Sequence, residues 1–256
     1  MGYTQNLILV CAGRDAVRAS KYGLPALHLC LGLTSGGALQ RLQLPTVRTP
    51  CLLGLCDPPA NLAPCNAQRV AADLVFEAKR VQALGVFADF ESDTPQTQAL
   101  LIAFDSALQE AGLPFYVPLA RGKGLSHAIV TMPTALSGGS LTAYVSSLQA
   151  TYGAARVAAF LQPISQDFTL PSASSKGLPL TETARNALLS KTGAQTFFSR
   201  ELCAKYFTYT DENGRAHFVL FDDISTLEAK LAQLSGRGVK AVFALFPDAE
   251  PILTTS

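Results

Sequence analysis

The segment Gly85-Val86-Phe87-Ala88-Asp89-Phe90-Glu91 ends an apolar run on two acids with one residue between them. In an extended strand side chains alternate between faces, so Gly85, Phe87, Asp89 and Glu91 lie on one side. Two carboxylates held side by side at the end of an apolar wall repel one another, and one of them keeps its proton to higher pH. That is how a protein makes a general acid. A plainer use of the same residues is structural: with Ser92-Asp93 they can form a polar strand end and the cap of a helix opening at Pro95. Taken alone, the segment leaves both uses open.

Which use applies depends on what positions the strand. Short apolar runs recur from Leu7 to Cys11, Ala26 to Leu31, Cys51 to Cys56, Gly85 to Phe90, Phe115 to Leu119, Ala128 to Met132, Val157 to Leu161 and Ala241 to Phe246. They are continuous rather than alternating, as strands of a parallel sheet buried on both faces must be. Helical patterns lie between several of them, the clearest from Ala67 to Leu84, Gln96 to Ala111, Leu141 to Tyr152 and Ser225 to Leu234. Eight such units in 256 residues predict an α/β fold, a single (β/α)8 TIM barrel over residues 1–256, with a doubly wound open sheet as the competitor. In a barrel the face shared by Phe87, Asp89 and Glu91 is the interior. The two acids then fall at the C-terminal strand end, where barrel enzymes carry out their chemistry.

Two stretches depart from a regular alternation. Only Ala120 to His127 separates the fifth and sixth runs, shorter than the dozen or so residues of an ordinary parallel crossover, so a helix is missing there or a strand is misplaced. The stretch from Gln162 to Lys240 is too long for one crossover. It predicts an α+β insertion at about residues 163–223, between the seventh and eighth strands. Within it lie a Ser/Pro-rich loop from Pro171 to Gly177, a helix from Thr181 to Thr192, and a hairpin of Tyr206 to Thr210 and His217 to Phe221. The hairpin turns at Asn213-Gly214, the favoured type I′ dipeptide. Neither an internal repeat nor a low-complexity tract is present.

Composition narrows the function classes. The chain is 48% hydrophobic and 15% charged with a formal net charge of +1, so nothing electrostatic draws it to nucleic acid or an anionic membrane. No segment approaches the ~20 apolar residues of a membrane span, and Met1 to Gln5 carries no basic leader region. Six cysteines without a CxxC pair predict neither a disulfide frame nor a structural zinc site, and no metal or cofactor is expected. His28, His127 and His217 are scattered, with no GxSxG beside them. Ser137-Gly138-Gly139-Ser140 reads as a loop and helix cap, with an anion nest as its functional alternative.

The stretch from Tyr206 to Lys230, with its Asp222-Asp223, Ser225 and Lys230, followed by Gly238 to Phe246, resembles the closing segment of glycoside hydrolase family 18. The likeness runs from about Leu84 to Phe246 and is nearest to the bacterial spore-cortex-lytic and chitinase-like branch, and the Gly85 to Glu91 strand resembles that family's signature strand. The resemblance implies a retaining mechanism assisted by the substrate. Glu91 would protonate the glycosidic oxygen, and Asp89 would orient the N-acetyl group whose carbonyl attacks the anomeric carbon. The partner it implies is an N-acetylated oligosaccharide, chitin-like, or the glycan of peptidoglycan.

Several positions depart from the family pattern. Phe87 stands where the family has an inner aspartate, Met132-Pro133-Thr134-Ala135 stands at the place of a Met-x-Tyr-Asp, and Leu245 replaces a tryptophan that floors the sugar subsite, with Phe246 next to it. Gln162, Tyr116, Met132 and Phe246 are the candidate substrate contacts. The departures give the alternative reading of a barrel that binds glycan or a protein partner without cleaving. Free cysteines favour a reducing compartment, the cytoplasm or a forespore interior. Oligomeric state is left open.

Overall fold

Each of the eight continuous apolar runs forms a parallel strand covered on both faces. The computed structural model describes residues 3–42, 50–171 and 177–255. The strands are β1 (Leu7–Cys11), β2 (Ala26–Leu33), β3 (Cys51–Cys56), β4 (Val86–Asp89), β5 (Phe115–Pro118), β6 (Ile129–Pro133), β7 (Val157–Leu161) and β8 (Val242–Leu245). Each pairs in parallel with the next, and β1 pairs with both β2 and β8, Leu7 opposite Val242 and Leu9 opposite Ala26. The cylinder is therefore closed. An open sheet is excluded, and the fold is a (β/α)8 barrel.

Alternation along each strand sorts side chains into two cores. Val86, Ala88 and Phe90 point outward to the helices, while Phe87 points inward to join Ile8, Val10, Leu27, Leu52 and Phe243. The lumen is filled by aromatic rings: Phe243 lies 5.1 Å from both Phe87 and Tyr116 in edge contacts, and Phe160 stacks on it at 6.4 Å. Fully burying each such ring is worth roughly 1.5–3 kcal/mol. At Gly54 of β3 a side chain has no room, because a Cβ would stand 2.6 Å from Leu29 Cδ2 and 2.9 Å from the His28 carbonyl oxygen.

The outer layer is uneven. A short helix α1 (Ala16–Ala19) follows β1, and a strand Leu39–Arg41 folds back antiparallel on β2. Full helices α2 (Ala67–Arg80), α3 (Pro95–Glu110) and α4 (Leu141–Tyr152) follow β3, β4 and β6. Helix α2 stops four residues short of the expected Leu84, because Gln82 adopts a left-handed φ of 55°. Helix α3 starts at a capping box of Thr94 and Thr97 with Pro95 in its first turn. Between β5 and β6 the helix is absent, replaced by a single 3-10 turn at Leu119–Arg121.

Between β7 and β8 the insertion forms a five-stranded antiparallel sheet, ordered Leu178–Pro179, Ser165–Leu170, Ala216–Phe221, Ala204–Thr210 and Phe197–Ser199, with helix α5 (Glu182–Thr192). Within its Pro171 to Gly177 loop, residues 172–176 lie outside the described residues. The hairpin turn differs from the type I′ expectation. Among the described residues only Gln82 and Cys203 are non-glycine positions with positive φ, so Asn213 is not left-handed. Instead Gly214 N donates to the Asp211 carbonyl at 3.0 Å, and Gly214 alone takes a φ of 77°. Asp211 Oδ1 accepts from the amides of Asn213 and Arg215, both at 2.9 Å, which favours this longer loop over a two-residue turn. Helices α6 (Ile224–Gly236) and α7 (Phe246–Thr255) flank β8.

Candidate active site

The inward register that carries Phe87 carries Asp89 two residues further, to the C-terminal end of β4. There it pairs across to Cys56 at the end of β3. Asp89 is half-buried, and burial holds its carboxyl above the usual aspartate range, with the neighbouring charges of Glu91 and Asp57 adding to the effect. Phe90 turns outward and packs edge-on against Phe104 of α3 at 6.4 Å, which returns Glu91, exposed, to the mouth side.

Two residues outside the strand fix the backbone that carries Glu91. Asp57 Oδ1 accepts from Glu91 N at 3.2 Å, Ser92 N at 3.2 Å and Ser92 Oγ at 2.7 Å. From the other side Arg121 Nη2 donates to the Glu91 carbonyl at 2.8 Å while Nη1 meets Asp93 Oδ1 at 2.7 Å. The Arg121 side chain is only 14% exposed, and its Nε is buried without a hydrogen-bond partner, so the guanidinium is committed to this corner. Neither residue was singled out from the sequence. Asp57 carries the signal that marked Asp89 and Glu91, an acid at the C-terminal end of a barrel strand. Arg121 sits in the helix-free connection and has no such signal.

The other candidates scatter. Gln162 follows β7, whose inward side chains are Ala158 and Phe160, so it continues that register as an exposed residue at the mouth; its amide donates to Thr134 Oγ1 at 3.1 Å. Tyr116 also points inward, but it lines a cavity with the first residues of β6 and β7, on the N-terminal face and away from the carboxylates. Met132 and Phe246 are both 0% exposed and belong to the outer core. Phe246 packs with Tyr22 and lies beneath Arg18, so the residue of β8 that faces the mouth is Leu245, 46% exposed. The structure brings Asp89, Glu91 and Gln162 to one end and leaves Tyr116, Met132 and Phe246 elsewhere.

Several further motifs have structural work. Ser140 Oγ accepts from Ala143 N as the N-cap of α4. His217 Nδ1 meets Asp167 Oδ1 at 2.9 Å on the insertion sheet, and His28 is buried between β2 and its surroundings with its Nε2 unpartnered. Asp223 forms the capping box of α6 with Thr226. Among the described residues no group of three or more His, Cys, Asp or Glu is placed to hold a metal ion, and no helix is long and apolar enough to cross a membrane. The mouth offers acid–base groups: the Asp89 carboxyl, raised by burial, near the charges of Glu91 and Asp57, with the Arg121 guanidinium bracing the Glu91 carbonyl.

No family model and no curated protein sequence matches the chain. Solved structures share its fold. A chitinase from Chromobacterium violaceum superposes with a TM-score of 0.64 at 14% identity, over 97% of this chain and 96% of that one. The spore cortex-lytic enzyme SleL of Bacillus cereus superposes with a TM-score of 0.61 at 16% identity, over 97% of this chain and 73% of that one. A family GH18 chitinase from Cycas revoluta, in complex with allosamidin, superposes with a TM-score of 0.59 at 13% identity, over 97% of each chain. At these identities the likeness is one of fold, the (β/α)8 barrel.

Proposed function

We propose that this barrel hydrolyses β-linked N-acetylglucosamine-containing glycans, chitin oligomers or peptidoglycan strands, by substrate-assisted catalysis with retention. The observation that carries the reading is the pair Asp89 and Glu91 at the C-terminal end of β4, in a barrel whose structural neighbours are named as chitinases and a cortex-lytic enzyme. Fold likeness alone would not carry it, since one barrel serves many chemistries.

In the first step the acetamido carbonyl oxygen bonds to the anomeric carbon as the glycosidic C–O bond breaks. Glu91 gives its proton to the leaving oxygen. Asp89 accepts the acetamido N–H and faces the positive charge of the oxazolinium. Burial, with the like charges of Glu91 and Asp57, raises the Asp89 carboxyl in the free protein, and a cation forming beside it favours the ionised form. Water then attacks the anomeric carbon and yields its proton to the Glu91 carboxylate, the C–O bond to the acetamido oxygen breaks, and the group is restored. Asp57 and Arg121 hold the Glu91 backbone in place, and exposed Gln162 lies where the sugar chain would pass.

The test is turnover of chitooligosaccharides and peptidoglycan fragments by wild type and Glu91→Gln, with a loss of about 10²–10⁴-fold expected in the variant. Equal rates would remove Glu91 from the mechanism. A second reading, glycan binding without cleavage, is favoured by Phe87, buried in the position below Asp89 where a further acid would share its proton. Calorimetric binding of chitobiose with no cleavage across a broad pH range would select it.

A further inference from the structure

A cavity of about 420 Å³ opens on the N-terminal face of the barrel, at the end opposite the carboxylates. Its walls include Ile129, Ala155, Val157 and Ala241, and Lys240 stands among its lining residues. Tyr116 also lines it. This tyrosine is 9% exposed, is held at 5.1 Å from Phe243 in an edge contact, and makes no hydrogen bond through its hydroxyl among the described residues. A phenol in a cavity wall without a protein partner is free to donate to a ligand that enters. Lys240 is exposed and takes part in no ion pair among the described residues.

The adjacent cavity, about 430 Å³, shares Ile129 and Ala155 with the first, but its charged side chains are engaged. Its Arg156 donates to the carbonyls of Ala128 and Leu125, both at 2.9 Å, and its Asp105 accepts from the amides of Ser126 and His127. Those polar groups serve the loop. In the first cavity the hydroxyl and the ammonium have no such duty.

Apolar walls, one unpaired phenol and one unpaired cation define a ligand with an apolar body and an anionic, hydrogen-bond-accepting head. The volume lies within the range of small-molecule sites. We infer that this cavity binds small apolar carboxylates, the carboxylate meeting Lys240 and the Tyr116 hydroxyl and the hydrocarbon lying against Ile129, Val157 and Ala241. The site is separate from the carboxylate pair and does not depend on the glycosidase reading.

The probe is 4-phenylbutyrate, compared with its alcohol, 4-phenyl-1-butanol, and followed on the full chain by amide shift mapping and calorimetry. The acid is expected to bind about tenfold more tightly than the alcohol, one charge-assisted contact's worth, with shifts centred on Ala154, Ala155, Gly238 and Ala241. Lys240→Gln, a surface change, should erase the difference between acid and alcohol. Tyr116→Phe keeps the ring against Phe243 and should weaken the acid several-fold. Ala155→Phe, at the exposed rim, should abolish binding of both. Equal affinity for acid and alcohol, shifts centred elsewhere, unchanged binding in Lys240→Gln, or no binding of the acid up to about 10 mM each overturn the inference.

Discussion

Lys230 Nζ lies 2.6 Å from Asp222 Oδ2, and neither side chain is exposed to solvent. Asp222 Oδ2 also accepts from Ile164 N at 2.9 Å, and its Oδ1 from Thr226 Oγ1 at 2.8 Å. One carboxylate thereby joins the end of β7, the last strand of the insertion and helix α6. Removing one partner of a buried ion pair leaves the other charge uncompensated. Lys230→Met should cost about 3–5 kcal/mol in urea unfolding, and adding Asp222→Asn should return part of the loss. A single variant as stable as wild type would mean that the pair is not the anchor of the insertion.

The Asp57 clamp makes a kinetic prediction that rests on the proposed chemistry. Asp57→Ala removes the acceptor shared by Glu91 N, Ser92 N and Ser92 Oγ, whereas Asp57→Asn retains an oxygen there. On chitooligosaccharides the alanine variant should lose about tenfold in kcat with KM little changed, and asparagine should restore most of it. A change confined to KM would assign Asp57 to substrate binding instead.

Asp89 makes a prediction about stability that holds with or without catalysis. Its folded carboxyl is raised above the ordinary 3.8 by burial first and by Glu91 and Asp57 next. A raised folded pKa contributes stability that is complete below the unfolded pKa and is lost as pH rises through the folded one. Asp89→Asn should therefore melt higher than wild type at pH 7, and the gap should close as pH falls toward 3. Thermal unfolding across that range decides it; a variant less stable at pH 7 contradicts the assigned cause.

Glu77 of α2 behaves in the opposite sense. Arg41 donates to it at 2.7 and 2.6 Å and Arg80 at 2.9 and 2.8 Å, two guanidinium forks on one carboxylate. They hold its carboxyl down to about 2, from an ordinary 4.5. The stability this confers is present above about pH 4.5 and is lost as pH falls through about 2. With both arginines partly exposed, Glu77→Gln should cost ~2 kcal/mol at neutral pH, and the difference should vanish in acid. A constant difference from pH 7 to 2 would point to packing instead.

The barrel is legible in the sequence because strands buried on both faces leave unbroken apolar runs, and all eight such runs coincide with strands. The missing helix between β5 and β6 is legible as a connection too short to hold one. Orientation at strand ends is legible by counting from a known inward residue. From Ile129, Met132 falls outward, and from Phe243, Leu245 falls inward and Phe246 outward. The turn at Gly214 was not legible from its dipeptide, since the Asp211 side chain selects the longer loop. Arg121 was not legible at all: its meaning comes from the carbonyl of Glu91, a contact across 30 residues of chain.

The cylinder of strands is a closed hoop, but its coat has a seam where Leu119–Arg121 replaces a helix. Along that seam Gly122 lies so close to Val130 that a Cβ would stand 2.3 Å from its Cγ1. The connection leaves the mouth at Arg121 and arrives at Ser126 and His127, beside the cavities of the opposite face. Beside the aromatic-filled lumen, the two ends of the barrel are joined here by a bare thread of backbone. One of its ends grips Glu91, and the other borders the space where Ile129 begins its strand.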